Sequence, residues 1–92
     1  MSRFIKLNHP PKKREQHMPR IAFFFGISIY MYMDDHGVPH CHGVYGDYAG
    51  SFGLEDGKRI AGEMPPKQER KIKEFIRANK EDLLEAWNEL SN

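Results

Sequence analysis

The chain has one cysteine in its 92 residues. That excludes an internal disulfide and suits a reducing compartment. No apolar run comes near the roughly 20 residues that a membrane-crossing helix needs. The basic residues near the start are not followed by an apolar stretch, so the sequence reads as having no signal peptide. The expected location is the cytoplasm, with no membrane partner. The chain also has no Walker loop, no Rossmann glycine pattern, no Cys-x-x-Cys and no Gly-x-Ser-x-Gly. A P-loop phosphate cradle, a thioredoxin-like dithiol and a hydrolase nucleophile elbow therefore have no motif here. There are no internal repeats and no low-complexity segment.

What is present is ordinary for one small globular domain: 39% hydrophobic and 29% charged residues, with a formal charge of +1. That charge hides an asymmetry. Residues 1–17 carry five Lys/Arg and one Glu, a net +4, and residues 18–92 carry nine against twelve, a net −3. Residues 1–17 are expected to form a mobile basic extension, because Pro10-Pro11 blocks helix continuation and the charges after it have nothing to bury. Such a tail is either simply solvated or able to touch phosphate. Met18 would make an equally good beginning, which leaves 18–92 as the domain.

Within the domain, Ile27, Ile29, Met31 and Met33 alternate with Ser28, Tyr30 and Tyr32, the pattern of a half-buried antiparallel strand. Phe23, Phe24 and Phe25 are expected to cap the core; a partner-binding patch is the alternative. Asp34 to Pro39 holds loop formers. His40 to Tyr45 returns as a second strand. Gly46-Asp47 turns into a third, Tyr48 to Leu54, with Tyr48, Phe52 and Leu54 on one face. Glu55 to Gly57 turns into a fourth, Lys58 to Glu63, with Ile60 and Met64 inward. Pro66 suits the first position of a helix running to Ala78. Asn79 is read as the N-cap of a second helix that carries Leu83, Leu84, Trp87 and Leu90. The expected fold is α+β, a four-stranded antiparallel β-meander covered on one face by a C-terminal helix pair.

The chemistry-bearing residues concentrate between Met31 and Tyr45: His36, His40 and His42, with Asp34 and Asp35. His40 and His42 are two apart on a strand, so they share a face at about 7 Å backbone spacing. Three readings stay open. The imidazoles can serve as general acid and base on a phosphodiester, with Tyr32 or Tyr30 orienting them, which makes His36, His40, His42 and Tyr32 the catalytic candidates. His40, His42 and Asp35 can instead hold a divalent transition metal. Finally, the rings can be structural, bonding loop backbone and packing on tyrosine. Cys41 faces away from its neighbours and is expected to pack as a small hydrophobe.

Met18-Pro-x-Ile, Phe24-Phe-Gly-Ile, Met31-Tyr, Asp35-His, Pro39-His-x-His, Tyr45-Gly-x-Tyr, Gly62-Glu-x-Pro-Pro66 and the late Trp87 together resemble a small bacterial family, domain of unknown function 4160. The resemblance spans residues 18–92. Members usually read Pro-Pro-His-Phe-His-Ala where this chain has Val38-Pro-His-Cys-His-Gly43, a change that keeps both histidines. The resemblance carries no activity. It implies a gene lying beside another small gene, as in toxin–antitoxin pairs. The expected function is a toxin–antitoxin-like component that acts on or binds RNA, or a protein encoded next door, through the histidine-rich edge. Against it stand a metal-dependent enzyme using the same histidines and a non-catalytic interaction module.

Overall fold

Phe25 and Gly26 stand between the phenylalanine run and the alternating strand that begins at Ile27. Their backbone φ angles are 50° and 78°, the paired positive values that a two-residue type I′ hairpin loop requires. The chain therefore folds back there. The computed structural model describes residues 20–32 and 37–91, and shows β1 (Arg20–Phe24), β2 (Ile27–Tyr30), β3 (His40–Tyr45), β4 (Tyr48–Gly53), β5 (Arg59–Gly62), α1 (Pro66–Ala78) and α2 (Lys80–Ser91). The five strands form one antiparallel sheet in the order β1-β2-β3-β4-β5. The α+β meander with two C-terminal helices is as expected, but it has five strands where four were expected. The positive φ at Phe25 costs about 1–2 kcal/mol for an L-residue. The Lys71 ammonium lies 4.1 Å from the Phe25 ring centroid and partly offsets that cost.

One sheet face is a dry core. Ile27, Ile29, Met31, Cys41, Phe52 and Leu54 are fully buried together with Ile72, Ile76 and Leu83 from the helices. Gly43 lets α1 seat directly on the sheet. A Cβ there would stand 2.9 Å from Ile72 Cδ1, closer than packed atoms come, and 3.3 Å from Phe52 Cε1, tighter than most contacts. Phe24 joins this layer through the Phe75 ring, with centroids 4.9 Å apart. α2 adds Ala86 and Trp87 to the same core.

Three local expectations need correction. Of the three phenylalanines only Phe24 packs on the core; Phe23 is 58% and Phe25 70% exposed, because the hairpin turns one out on the far face and strands the other at its tip. Ile60 is 54% exposed. The register slips between Ser51 and Phe52 where β4 meets β5, so period two fails there and Ile60 faces out, while Met64 still reaches the core. Tyr48 does share the face of Phe52, as its pairing with Tyr45 shows, but it begins β4 at the turn and is 44% exposed. Asn79 does separate two helices, but its side chain serves the first: Nδ2 donates to the Phe75 carbonyl at 2.9 Å, and its backbone N–H donates to the same oxygen at 3.1 Å. Its own carbonyl accepts the Leu83 N–H at 2.9 Å and so opens α2. Residues 1–17, Met33, Asp34, Asp35 and His36 lie outside the described residues.

Candidate functional site

The second sheet face is built by the same strands from the alternate residues. The two-residue loop between Tyr45 and Tyr48 sets the β3–β4 register. Counting three back and three on from it brings His42 opposite Ser51, and His40 falls opposite Gly53. β2 adds Tyr30 opposite His42, and β1 adds Arg20 opposite Tyr30. Opposed residues in an antiparallel pair share a face. Arg20, Tyr30, His42 and Ser51 thus form one row across four strands, on the side away from Ile29 and Gly43.

Around that row the rings touch in series. Tyr32 stacks on His42 at 4.1 Å between centroids, with an interplanar angle of 28°. His42 meets His40 edge-on at 5.0 Å, and His40 lies 5.0 Å from the Trp87 ring of α2. His40 has only a glycine opposite it, so no cross-strand side chain blocks its approach to Trp87.

Two hydrogen bonds orient the imidazoles. His40 Nδ1 is 2.8 Å from the Val38 carbonyl oxygen. A carbonyl only accepts, so Nδ1 carries the proton, and in the neutral ring Nε2 holds the lone pair. The Val38 carbonyl is itself held in place, because the next residue, Pro39, accepts the Leu54 N–H at 3.0 Å. His42 Nδ1 is 3.2 Å from Ser51 Oγ, and its Nε2 is shielded from solvent. The two rings therefore differ. His40 sits at the more open end, and His42 is wedged between Tyr32, His40 and Ser51.

Of the sequence candidates, the structure brings Tyr32, His40 and His42 together. His36 and Asp35 fall outside the described residues, and Asp35 was the third member of the expected metal set. Among the described residues, no group of three His, Cys, Asp or Glu side chains is placed to hold a metal ion. Because both Nδ1 atoms already face oxygen, a metal would have to take the Nε2 atoms. Cys41 lies on the opposite face with its thiol fully buried, and burial pushes its pKa up to about 12. It packs as a small hydrophobe. Sequence reasoning missed Ser51 and the Trp87 contact. Ser51 was legible, since the two-residue turn dictates its pairing with His42. The Trp87 contact carried no local signal.

The sequence profile of the family described as Domain of unknown function (DUF4160) matches residues 26–88, which takes in all of the rings above. Neither a curated protein nor a solved structure matches significantly. No helix among the described residues is long and apolar enough to cross a membrane.

Proposed function

Because the chain belongs to the DUF4160 family, whose description assigns no activity, we propose its function from the geometry: a toxin–antitoxin-like bacterial component that works in the cytoplasm and acts on RNA through its histidine face. The observation that supports this is the pinned His40 ring, with Nδ1 donating to Val38 and His42 at 5.0 Å. An imidazole whose Nδ1–H is committed to a backbone carbonyl is fixed in one tautomer and presents Nε2 as its basic nitrogen. In the proposed reaction His40 Nε2 accepts the proton of a ribose 2′-hydroxyl as that oxygen attacks the adjacent phosphorus. The bond from phosphorus to the 5′-oxygen breaks, and the imidazolium returns its proton to the departing oxygen. The products are a 2′,3′-cyclic phosphate and a 5′-hydroxyl. His42 and Tyr32 are positioning residues that hold the His40 ring from one side. A protein encoded by the neighbouring gene would restrain the activity.

The test is growth on expression, together with cleavage of labelled RNA by purified protein. Replacing His40 with Ala should lower the rate by ~10²–10⁴, the usual worth of acid–base catalysis, and leave the melting temperature nearly unchanged. A His40→Ala protein that cleaves RNA at the parent rate would sink the reading. A second reading has its own support, since an Nδ1–H bonded to a backbone carbonyl is also how metal-ligating histidines are oriented. Under it, zinc added to metal-free protein shifts the His40 and His42 ring signals together and raises thermal stability by linkage. An equal response from all five histidines would mark the binding as adventitious.

A further inference from the structure

We infer that single-stranded RNA lies across the sheet face opposite α1, running from an Arg20–Phe23 platform on β1 to the His40–His42 pair on β3. This deepens the RNA reading above, but it concerns binding and can stand or fall without cleavage. Phe23 pairs with Ser28, and Ser28 with Val44. Phe23 therefore shares a face with Val44 and with His42, two residues back on the same strand. Its ring is more than half exposed, and it lies flat under a cation, with the Arg20 guanidinium carbon 4.9 Å from its centroid. One guanidinium nitrogen, Nη1, donates to Ser28 Oγ at 3.3 Å; a guanidinium has five N–H donors, which leaves the fork able to meet a phosphate.

Between this platform and His42 stands Tyr30, half-buried on β2. β1 and β3 are two strand spacings apart, about 10 Å, so a few nucleotides span the face. Exposed aromatic rings beside arginine are what base stacking needs, because every base offers a π-face. An open sheet face with rings on adjacent strands is a recurrent way of holding unpaired RNA.

Arg20 and Phe23 together favour unpaired nucleic acid as the occupant, since a cation for phosphate and an exposed ring for a base lie side by side at the start of the edge strand. The other exposed phenylalanine does not share this arrangement. Phe25 sits at the hairpin tip under Lys71 of α1, on the helix side of the molecule.

The experiment uses the full chain and a fluorescent 2′-O-methyl pyrimidine 12-mer, which cannot be cleaved through a 2′-hydroxyl, and reads binding by anisotropy. Phe23→Ala and Tyr30→Ala should each weaken binding about tenfold. Arg20→Ala should weaken it several-fold and flatten the salt dependence by about one unit of slope. Phe25→Ala should change nothing. Circular dichroism confirms folding, and since Phe23 and Arg20 are exposed, those two variants decide the matter if Tyr30→Ala unfolds. The inference is overturned by no binding at low salt, by Phe23→Ala binding as well as the parent, or by sedimentation showing that this face instead pairs two copies of the chain. Cleavage of unmodified RNA is scored separately. A Phe23-dependent binder that cuts nothing removes the catalytic reading and keeps this one; a nuclease indifferent to Phe23 does the opposite.

Discussion

The two faces of the sheet come from the same strands, often from neighbouring residues, yet they differ in kind. Toward α1 stand Ile29, Cys41 and Phe52 with no exposed surface, and a glycine where the helix presses closest. On the far side, one residue along each strand, stand Tyr30, His42 and Ser51, half-buried, with His42 stacked on Tyr32 and hydrogen-bonded to Ser51. In a domain this small, stability comes mainly from burial on one face, which leaves the other free to carry polar chemistry. Stability and activity should then respond to different substitutions. Trp87 is the exception, because it belongs to the core and also touches His40.

Phe52→Ala should have the largest effect. Truncating a fully buried phenylalanine costs about 3–5 kcal/mol, much of the ~5–15 kcal/mol available to a domain. A denaturant titration should find the variant largely unfolded in mild urea, and a midpoint near that of the parent would mean the core lies elsewhere. Trp87→Ala should cost a similar ~3–5 kcal/mol and, unlike Phe52→Ala, shift the His40 ring signals in whatever fraction stays folded. A stable Trp87→Ala protein with an unmoved His40 would sever this link between the faces.

Gly43→Ala sharpens the comparison at the next level down. Its new methyl would meet Ile72 at 2.9 Å, and overpacking of that kind costs typically ~1–3 kcal/mol. Calorimetry should show the loss, and a neutral result would mean that α1 yields easily. A smaller effect belongs to Cys41. Its folded pKa is raised from 9.0 to about 12 by burial, so between those values the unfolded chain ionises and the folded one does not, and stability should fall as pH rises through that window. Alkylation in native buffer should be slow and should track unfolding; rapid labelling would show that the face is not dry. Least of all, deletion of residues 1–17, whose Pro10-Pro11 and run of charges read as an extension, should leave the melting temperature within about a degree or two. A large drop would place Phe4, Ile5 or Leu7 in the fold.

Much of this architecture was legible in the residues. Alternation from Ile27 to Met31 named the buried face correctly, and the Leu83 and Trp87 spacing named the helix residues that cover it. The site was legible in part. His40 and His42 had to share a face, and Tyr32 stacks on His42 as their positions allowed. Phe23-Phe24-Phe25 misled because hydrophobicity says that a side chain prefers burial, not that a hairpin will let all three have it. Ile60 misled because one slip in register turns every later side chain over, and nothing at Ser51 or Phe52 announces such a slip.

The sequence by itself determined what acts over a few residues: which strand positions point together, the turn between Tyr45 and Tyr48 that sets Ser51 opposite His42, and the helix that starts at Pro66. These follow from backbone sterics and the fixed period of each element, which need no distant partner. Only the tertiary structure decided that Trp87 would lie against His40, that Arg20 and Phe23 would continue the histidine row, and that Gly43 would receive Ile72. Those contacts depend on how whole elements pair and pack across the domain. The free energy that selects them belongs to the assembled core and not to any short stretch of chain.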